Sequence, residues 1–272
     1  MPPSEEYLLG HRSAEQDRLR RQAEELAGEA RWLLDQFTLP PAARVIDVGC
    51  GPQGILDLLA ERVGPQGRVV GLERSEETVA MARAFVAERR LANVEILQGD
   101  AKATGLARGS FDLAHARLVL VNVPGPEQVV AEMVALVQPG GVVAFHEADY
   151  VAHLCDPPLP AWSRLLEVLE TYSRANGIDL FVGRRVGRML RAAGLVDVQV
   201  HPVIHVYPYP HGRRTILLDF IENLRERILA QGVIAEAELA DQVASLRHHL
   251  DDPGTLVVSH LFFQAWGRKP ER

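Results

Sequence analysis

A short apolar strand runs directly into a glycine-rich turn at Val45-Ile46-Asp47-Val48-Gly49-Cys50-Gly51-Pro52-Gln53-Gly54, and few folds accommodate that order. Gly49 and Gly51 let the backbone approach a ligand with no side chain in the way, and Gly54 opens a helix whose free N–H groups favour polar or anionic groups. Read as letters, the turn is G-x-G-x-x-G. Glu73 follows about twenty residues later, the spacing at which a carboxylate can take ribose hydroxyls.

The rest of the chain supplies the alternation such a turn needs. Strands are expected at 43–48, 68–73, 94–98, 111–116 and 141–147, with helices at 54–64, 76–90 and 126–138 between them, which implies a parallel sheet covered on both faces. Ser75 with Glu76, Glu77 and Thr78 reads as a helix start, and Pro139-Gly140-Gly141 as a turn into the next strand. Residues 14–37 carry Leu19, Ala23, Leu26, Ala30 and Leu33 at helical spacing, ended by Pro40-Pro41. Beyond Asp149 the rhythm changes: helices near 160–175 and 183–193, a strand at 196–206, helices at 214–231 and 234–250, and a last strand at 256–267.

Composition excludes several classes of function. The 272 residues are 47% apolar and carry a net charge of -7, which argues against a nucleic-acid or anionic-membrane surface. No apolar run is long enough for membrane insertion, and the N-terminus is too charged for a signal peptide. A cytoplasmic location is expected. Cys50 and Cys155 are the only cysteines, so neither a disulfide framework nor a zinc site is expected, and basic residues at the end of the fourth strand argue against another metal site. Arg184, Arg185, Arg188 and Arg191 read as a solvated helix face.

Asp47 separates two readings of the turn. A pyrophosphate lying there would be repelled by a carboxylate, whereas a ligand with a sulfonium and an ammonium would be drawn to one. The pattern Asp47-x-Gly49-x-Gly51, with Glu73 after a second strand and Asp100 after a third, resembles the class I, Rossmann-like, S-adenosylmethionine-dependent methyltransferases. Within them it looks closest to a small-molecule branch similar to quinone-biosynthesis methyltransferases. The resemblance implies an α/β fold: a seven-stranded, mostly parallel sheet with an antiparallel last strand, helices on both faces, and a helical N-terminal lid and cap. It divides one structural domain into a lid at 1–40, a cofactor-binding core at 41–150, and a completion of the sheet at 151–272 with substrate-cap helices inserted at about 212–252.

The resemblance also assigns roles. S-adenosyl-L-methionine is the implied cofactor, held by Gln22 of the lid, Asp47, Gly49, Cys50, Gly51 and Gln53 of the turn, Glu73 on the ribose, Arg74 beside the adenine, and Asp100 and Ala101 at the adenine edge. Gln53 departs from the small residue or glycine common there. Arg117, at the end of the fourth strand, falls by the methionine moiety or orients an anionic substrate, and His115 reads as structural. After the fifth strand, His146, Glu147, Asp149 and His153 face the crevice where such sheets bind ligands and could supply a deprotonating base; the same residues also read as a polar loop. His201, His205, Tyr207, Tyr209 and His211 lead into the cap. The implied reaction is methyl transfer to an O, N or C atom of a small, fairly apolar organic acceptor. An NAD(P)-dependent oxidoreductase, a non-methylating enzyme and a regulatory S-adenosylmethionine-binding module remain as alternatives, and the oligomeric state stays open, a homodimer included.

Overall fold

The computed structural model describes residue 23 and residues 25–271. Gln22 and the rest of residues 1–22, part of the lid expected over 1–40, lie outside the described residues. The first helix with described bounds, α1 (Ala27–Leu34), leads to β1 (Arg44–Val48), and strands and helices then alternate: α2 (Leu56–Val63), β2 (Arg68–Glu73), α3 (Glu76–Glu88), β3 (Val94–Gln98), β4 (Phe111–Arg117), α4 (Pro126–Leu136) and β5 (Val137–Asp149). The second half holds β6 (Leu154–Asp156), α5 (Pro160–Ala175), α6 (Val186–Ala192), β7 (Val196–Val203), β8 (Val206–Tyr207), α7 (Ile216–Ala230), α8 (Glu236–Asp251), β9 (Leu256–Val258) and β10 (Leu261–Arg268).

The main sheet has seven strands in the order β3-β2-β1-β4-β5-β10-β7. Pairs among β1 to β5 are parallel, and β10 runs antiparallel to both of its neighbours. The order reverses between β1 and β4, which opens a crevice at their carboxyl ends. Val45, Leu113, Val142 and Ala144 share one buried cluster with α1 and α2, while Val48, Ala116, Val143 and Phe145 share another with α4, α5, α6 and α7. Each fully buried large side chain contributes about 1.5–3 kcal/mol by leaving water.

Local sequence explains the helix starts. Ser75 Oγ accepts from the Thr78 N–H at 3.3 Å, with Glu76 and Glu77 in the first turn of α3, where carboxylates complement the helix dipole. Pro160 begins α5, whose Ala161, Leu165, Val168, Leu169 and Tyr172 form one buried face. In α7, Ile216, Leu217, Phe220, Ile221, Leu224 and Ile228 are all buried, joining this helix to the larger buried cluster.

Three expectations about local structure need correcting. The strand expected at 196–206 breaks after Val203, and the strand expected at 256–267 breaks at Ser259-His260; the piece β9 pairs antiparallel with both β6 and β8 in a separate three-stranded sheet. Ser259 forms that break by donating its N–H to the His205 carbonyl at 2.9 Å and accepting the His205 N–H on Oγ at 3.0 Å. Pro139-Gly140-Gly141 is not a free turn. It is a bulged start to β5, with a register shift between Phe111 and Leu113 opposite and Gly140 donating to the Lys269 carbonyl at 2.9 Å.

The arginine cluster is not a purely solvated face. Arg184 binds Asp149, Arg185 pairs with Glu127 and Asp179, and Arg191 donates to backbone carbonyls of Gly187 and Val198.

Candidate functional site

The carboxyl edge of the sheet lines up the predicted acids. Asp47, one residue before the end of β1, is 2% exposed, and a carboxylate so buried must be partnered. Its Oδ1 lies 2.7 Å from His115 Nδ1 and its Oδ2 accepts from the Ile55 N–H at 3.4 Å. An ionised carboxylate only accepts, so the hydrogen of the first contact sits on Nδ1. The turn wraps tightly around this group: at Gly54, with φ +52°, an added Cβ would meet Asp47 Oδ2 and the Cys50 carbonyl, each at 2.5 Å. At Gly51 an added Cβ would meet nothing within 4 Å, so that face of the turn is open to a ligand.

Glu73 sits at the tip of β2 with both oxygens turned towards backbone amides. Oε2 accepts the Gly51 N–H at 3.1 Å, and Oε1 accepts those of Arg74 at 2.7 Å and Ser75 at 3.1 Å. This fixes the carboxylate beside the glycine turn. Gln98 lies opposite Glu73 in register, so Asp100 emerges from β3 next to it. Asp100 Oδ1 accepts the Lys102 N–H at 2.8 Å, which makes an Asx turn that presents Ala101. Cys50 is buried, and burial pushes its thiol well above the ordinary range. Gln53 contributes its carbonyl to the Leu56 N–H at 3.2 Å.

Arg117 ends β4, where its guanidinium donates to the Gly54 carbonyl at 3.1 Å. Burial holds its pKa below the ordinary value, against the opposing pull of Asp47 and Glu29. The contact to Gly54 carries no spacing signal in the sequence, because its partner is a backbone carbonyl.

On the acceptor side, the structure separates the four residues expected at the end of β5. Glu147 is fully buried and serves as a cap: Oε1 accepts the N–H groups of Val119 and Leu120, each at 2.9 Å, and Oε2 that of Val121 at 3.3 Å. Burial raises its pKa to about 8 despite those donors. Asp149, also fully buried, takes the Arg184 Nε at 2.6 Å and the Val151 N–H at 3.1 Å. These bonds commit both carboxyls to backbone amides and, for Asp149, to the Arg184 side chain.

His146 and His153 are buried, and their ring nitrogens have no hydrogen-bond partner among the described residues. Burial lowers both pKa values, that of His153 to about 3, and the nearby guanidinium groups of Arg117 and Arg213 lower that of His146 further. They are neutral at physiological pH. Their rings belong to an aromatic row: His146 lies 5.2 Å from Phe262, Phe262 4.5 Å from His260, and His153 4.8 Å from Trp162.

The residues leading into the cap divide in the same way. His201 stacks on Trp32 at 4.0 Å, His205 Nε2 meets Glu29 at 3.1 Å, and Tyr207 stacks on His211 at 4.6 Å, while Tyr209 is exposed. Among the described residues no group of three or more His, Cys, Asp or Glu could hold a metal ion, and no helix is long and apolar enough to cross a membrane.

A sheet whose switch point carries a glycine turn, with an acid at each of three successive strand tips, defines an α/β fold that receives its ligand at the carboxyl edge. A family model described as a methyltransferase domain matches residues 40–194. The chain belongs to that methyltransferase-domain family. It is 34% identical over 128 residues to a demethylmenaquinone methyltransferase of Listeria monocytogenes, a stretch covering 47% of this chain and 52% of the relative. The chain thus spans about half the length of that relative.

Two solved structures show the same fold. One is a methyltransferase-like protein of Bacillus halodurans, with TM-score 0.60, 17% identity, and 88% of this chain and 97% of that one covered. The other is a phosphoethanolamine N-methyltransferase of Haemonchus contortus in complex with phosphomonomethylethanolamine and S-adenosylhomocysteine, with TM-score 0.58, 19% identity, and 89% of this chain and 52% of that one covered.

Proposed function

We propose that this protein transfers a methyl group from S-adenosylmethionine to a small, fairly apolar organic acceptor. The observation that carries the reading is the carboxyl-edge row of Asp47, the glycine turn, Glu73 and Asp100, on a chain of the methyltransferase-domain family. When bound, the cofactor supplies a methyl group already activated by its sulfonium. The residues fit it: the open face at Gly51 admits a ligand against bare backbone, Glu73 is oriented to take ribose hydroxyls, and Asp100 with Ala101 offers a carboxylate and an N–H to the adenine edge. Arg74 is assigned to the adenine end and Arg117 to the methionine end, with Cys50 and Gln53 of the turn in the same contact set.

The chain's remaining work is orientation and exclusion of water. Holding the acceptor in line with the methyl group is worth roughly 7 kcal/mol or more of the barrier, so no strong base is required. The commitments of Glu147 and Asp149 to the fold, and the low basicity that burial gives His146 and His153, support a site that positions rather than deprotonates. The cap helices α7 and α8 close the acceptor side, and quinone-type chemistry is the reading favoured by the demethylmenaquinone methyltransferase relative.

Calorimetry with S-adenosylhomocysteine and NAD tests the assignment. Micromolar binding of the first and none of the second is expected, with Glu73→Ala weakening it roughly ten- to hundredfold through loss of charge-assisted hydrogen bonds. Preferential binding of NAD would overturn it.

A further inference from the structure

The glycine turn has little of its own to keep its shape. Gly49, Gly51 and Gly54 all have positive φ, at +67°, +60° and +52°, and glycine loses more freedom on ordering than any other residue. What fixes the turn is a short list of bonds from outside it. The Gly49 and Cys50 amides reach the Leu72 carbonyl at 2.7 and 3.0 Å, Glu73 takes the Gly51 amide, Arg117 donates to the Gly54 carbonyl, and Asp47 Oδ2 takes the Ile55 amide.

Asp47 is the member that needs a partner of its own. Its contact to Ile55 is long, at 3.4 Å, while its contact to the His115 imidazole is short, at 2.7 Å, and both side chains are almost fully buried. Asp47 and His115 are direct neighbours in register across β1 and β4. Because Oδ2 lies only 2.5 Å from where a Cβ on Gly54 would stand, a rotation of the carboxylate towards Gly54 would push against the turn and the start of α2. The imidazole therefore sets where the second half of the turn sits. Two residues further along the same face of β4, Arg117 holds the same segment through the Gly54 carbonyl.

We propose that His115 is a positioning residue for cofactor binding, acting through its Nδ1–H on Asp47 to hold the Gly49–Gly54 turn in its ligand-receiving shape. The proposal rests on the reading of that turn as the S-adenosylmethionine cradle. It predicts an unusual order of substitutions. The amide nitrogen of an asparagine occupies the place of histidine Nδ1, whereas that of a glutamine occupies the place of Nε2 and misses Asp47. His115→Asn is expected to bind S-adenosylhomocysteine within about threefold of the parent protein, and His115→Gln to bind roughly tenfold or more weakly.

Asp47→Asn is expected to weaken binding by a similar factor, and the double variant Asp47→Asn/His115→Gln by no more than the worse single one, since both act through one bond. Hydrogen exchange at the Ile55 amide supplies a readout that general destabilisation would not give. It is expected to quicken in His115→Gln and Asp47→Asn while the β4–β5 amides keep their protection. Equal loss of affinity in His115→Asn and His115→Gln, additive losses in the double variant, or parent-like affinity in His115→Gln would each overturn the proposal. Should His115→Gln not fold, an unaccelerated Ile55 amide in Asp47→Asn would overturn it as well. Failure of the parent protein to bind S-adenosylhomocysteine would instead overturn the cofactor reading.

Discussion

Replacing Glu147 by glutamine isolates what that buried carboxyl does. Its Oε1 caps two amides and its Oε2 a third, and glutamine retains the oxygen facing Val119 and Leu120 while losing the weaker contact to Val121. That loss costs about 1 kcal/mol. Ionisation acts in the opposite direction. The folded carboxyl titrates at about 8 instead of 4.5 because of burial, so the native state holds its proton more tightly than the unfolded chain. The resulting stability is fully present below the unfolded value and is lost as the pH rises through the folded one, by about 1.4 kcal/mol per pH step. Between pH 5 and pH 7 that is roughly 3 kcal/mol. Urea unfolding of both proteins from pH 5 to pH 8.5 should therefore give crossing curves, with the parent more stable at the acid end and Glu147→Gln more stable at the alkaline end. S-adenosylhomocysteine affinity should stay unchanged. Parallel stability curves would refute the reasoning, because they would mean that the carboxyl is already ionised in the fold and that its three donors outweigh burial.

Two further outcomes are expected. Gly54→Ala puts a methyl group against Asp47 Oδ2 and the Cys50 carbonyl at a positive φ, so a loss of about 1–3 kcal/mol in stability and a clear loss of S-adenosylhomocysteine affinity should follow; calorimetry showing parent-like binding would contradict the tight wrap of the turn. Because burial lowers the His153 pKa to about 3, its contribution is present above its unfolded value near 6.5 and is lost as the pH falls towards 3. His153→Phe should flatten the acid limb of the stability curve below pH 6, and an unaltered limb would show that the imidazole is hydrated in the native state.

What could be read from the sequence and what could not divide along physical lines. The β1 turn, the Glu73 tip and the helix α5 were legible because each is a local pattern: alternation, glycine spacing, or an apolar face with a proline at its start. The three-stranded sheet was not, since β6, β8 and β9 span two or three residues each, too short for any period to register. The roles of Glu147 and Asp149 were hidden for a different reason. Glu147 binds backbone amides, which leave no trace in residue identity, and Asp149 binds Arg184 across an intervening stretch of 34 residues. A carboxylate at a strand end looks the same in sequence whether it faces a substrate or caps a turn. Asp47 shows the converse: its place in the motif was evident, but its partner His115 was assigned to structure because strand register cannot be seen in a single sequence.

The placement of β10 between β5 and β7 carries a consequence for how the chain acquires its fold. Leu261 to Arg268 pair with Asp149 to Val142 on one side and with β7 on the other, so the strand that comes last in order is not an edge but an interior plank. Until it arrives, β5 presents an apolar open edge and β7 has no neighbour in the sheet, the type of exposed strand that invites pairing with another chain. Such distant pairing is slow to form. The half of the sheet that carries the glycine turn can assemble from near neighbours, but its closure waits on the end of the chain, and a fragment lacking β10 would be an aggregation hazard rather than a smaller working protein.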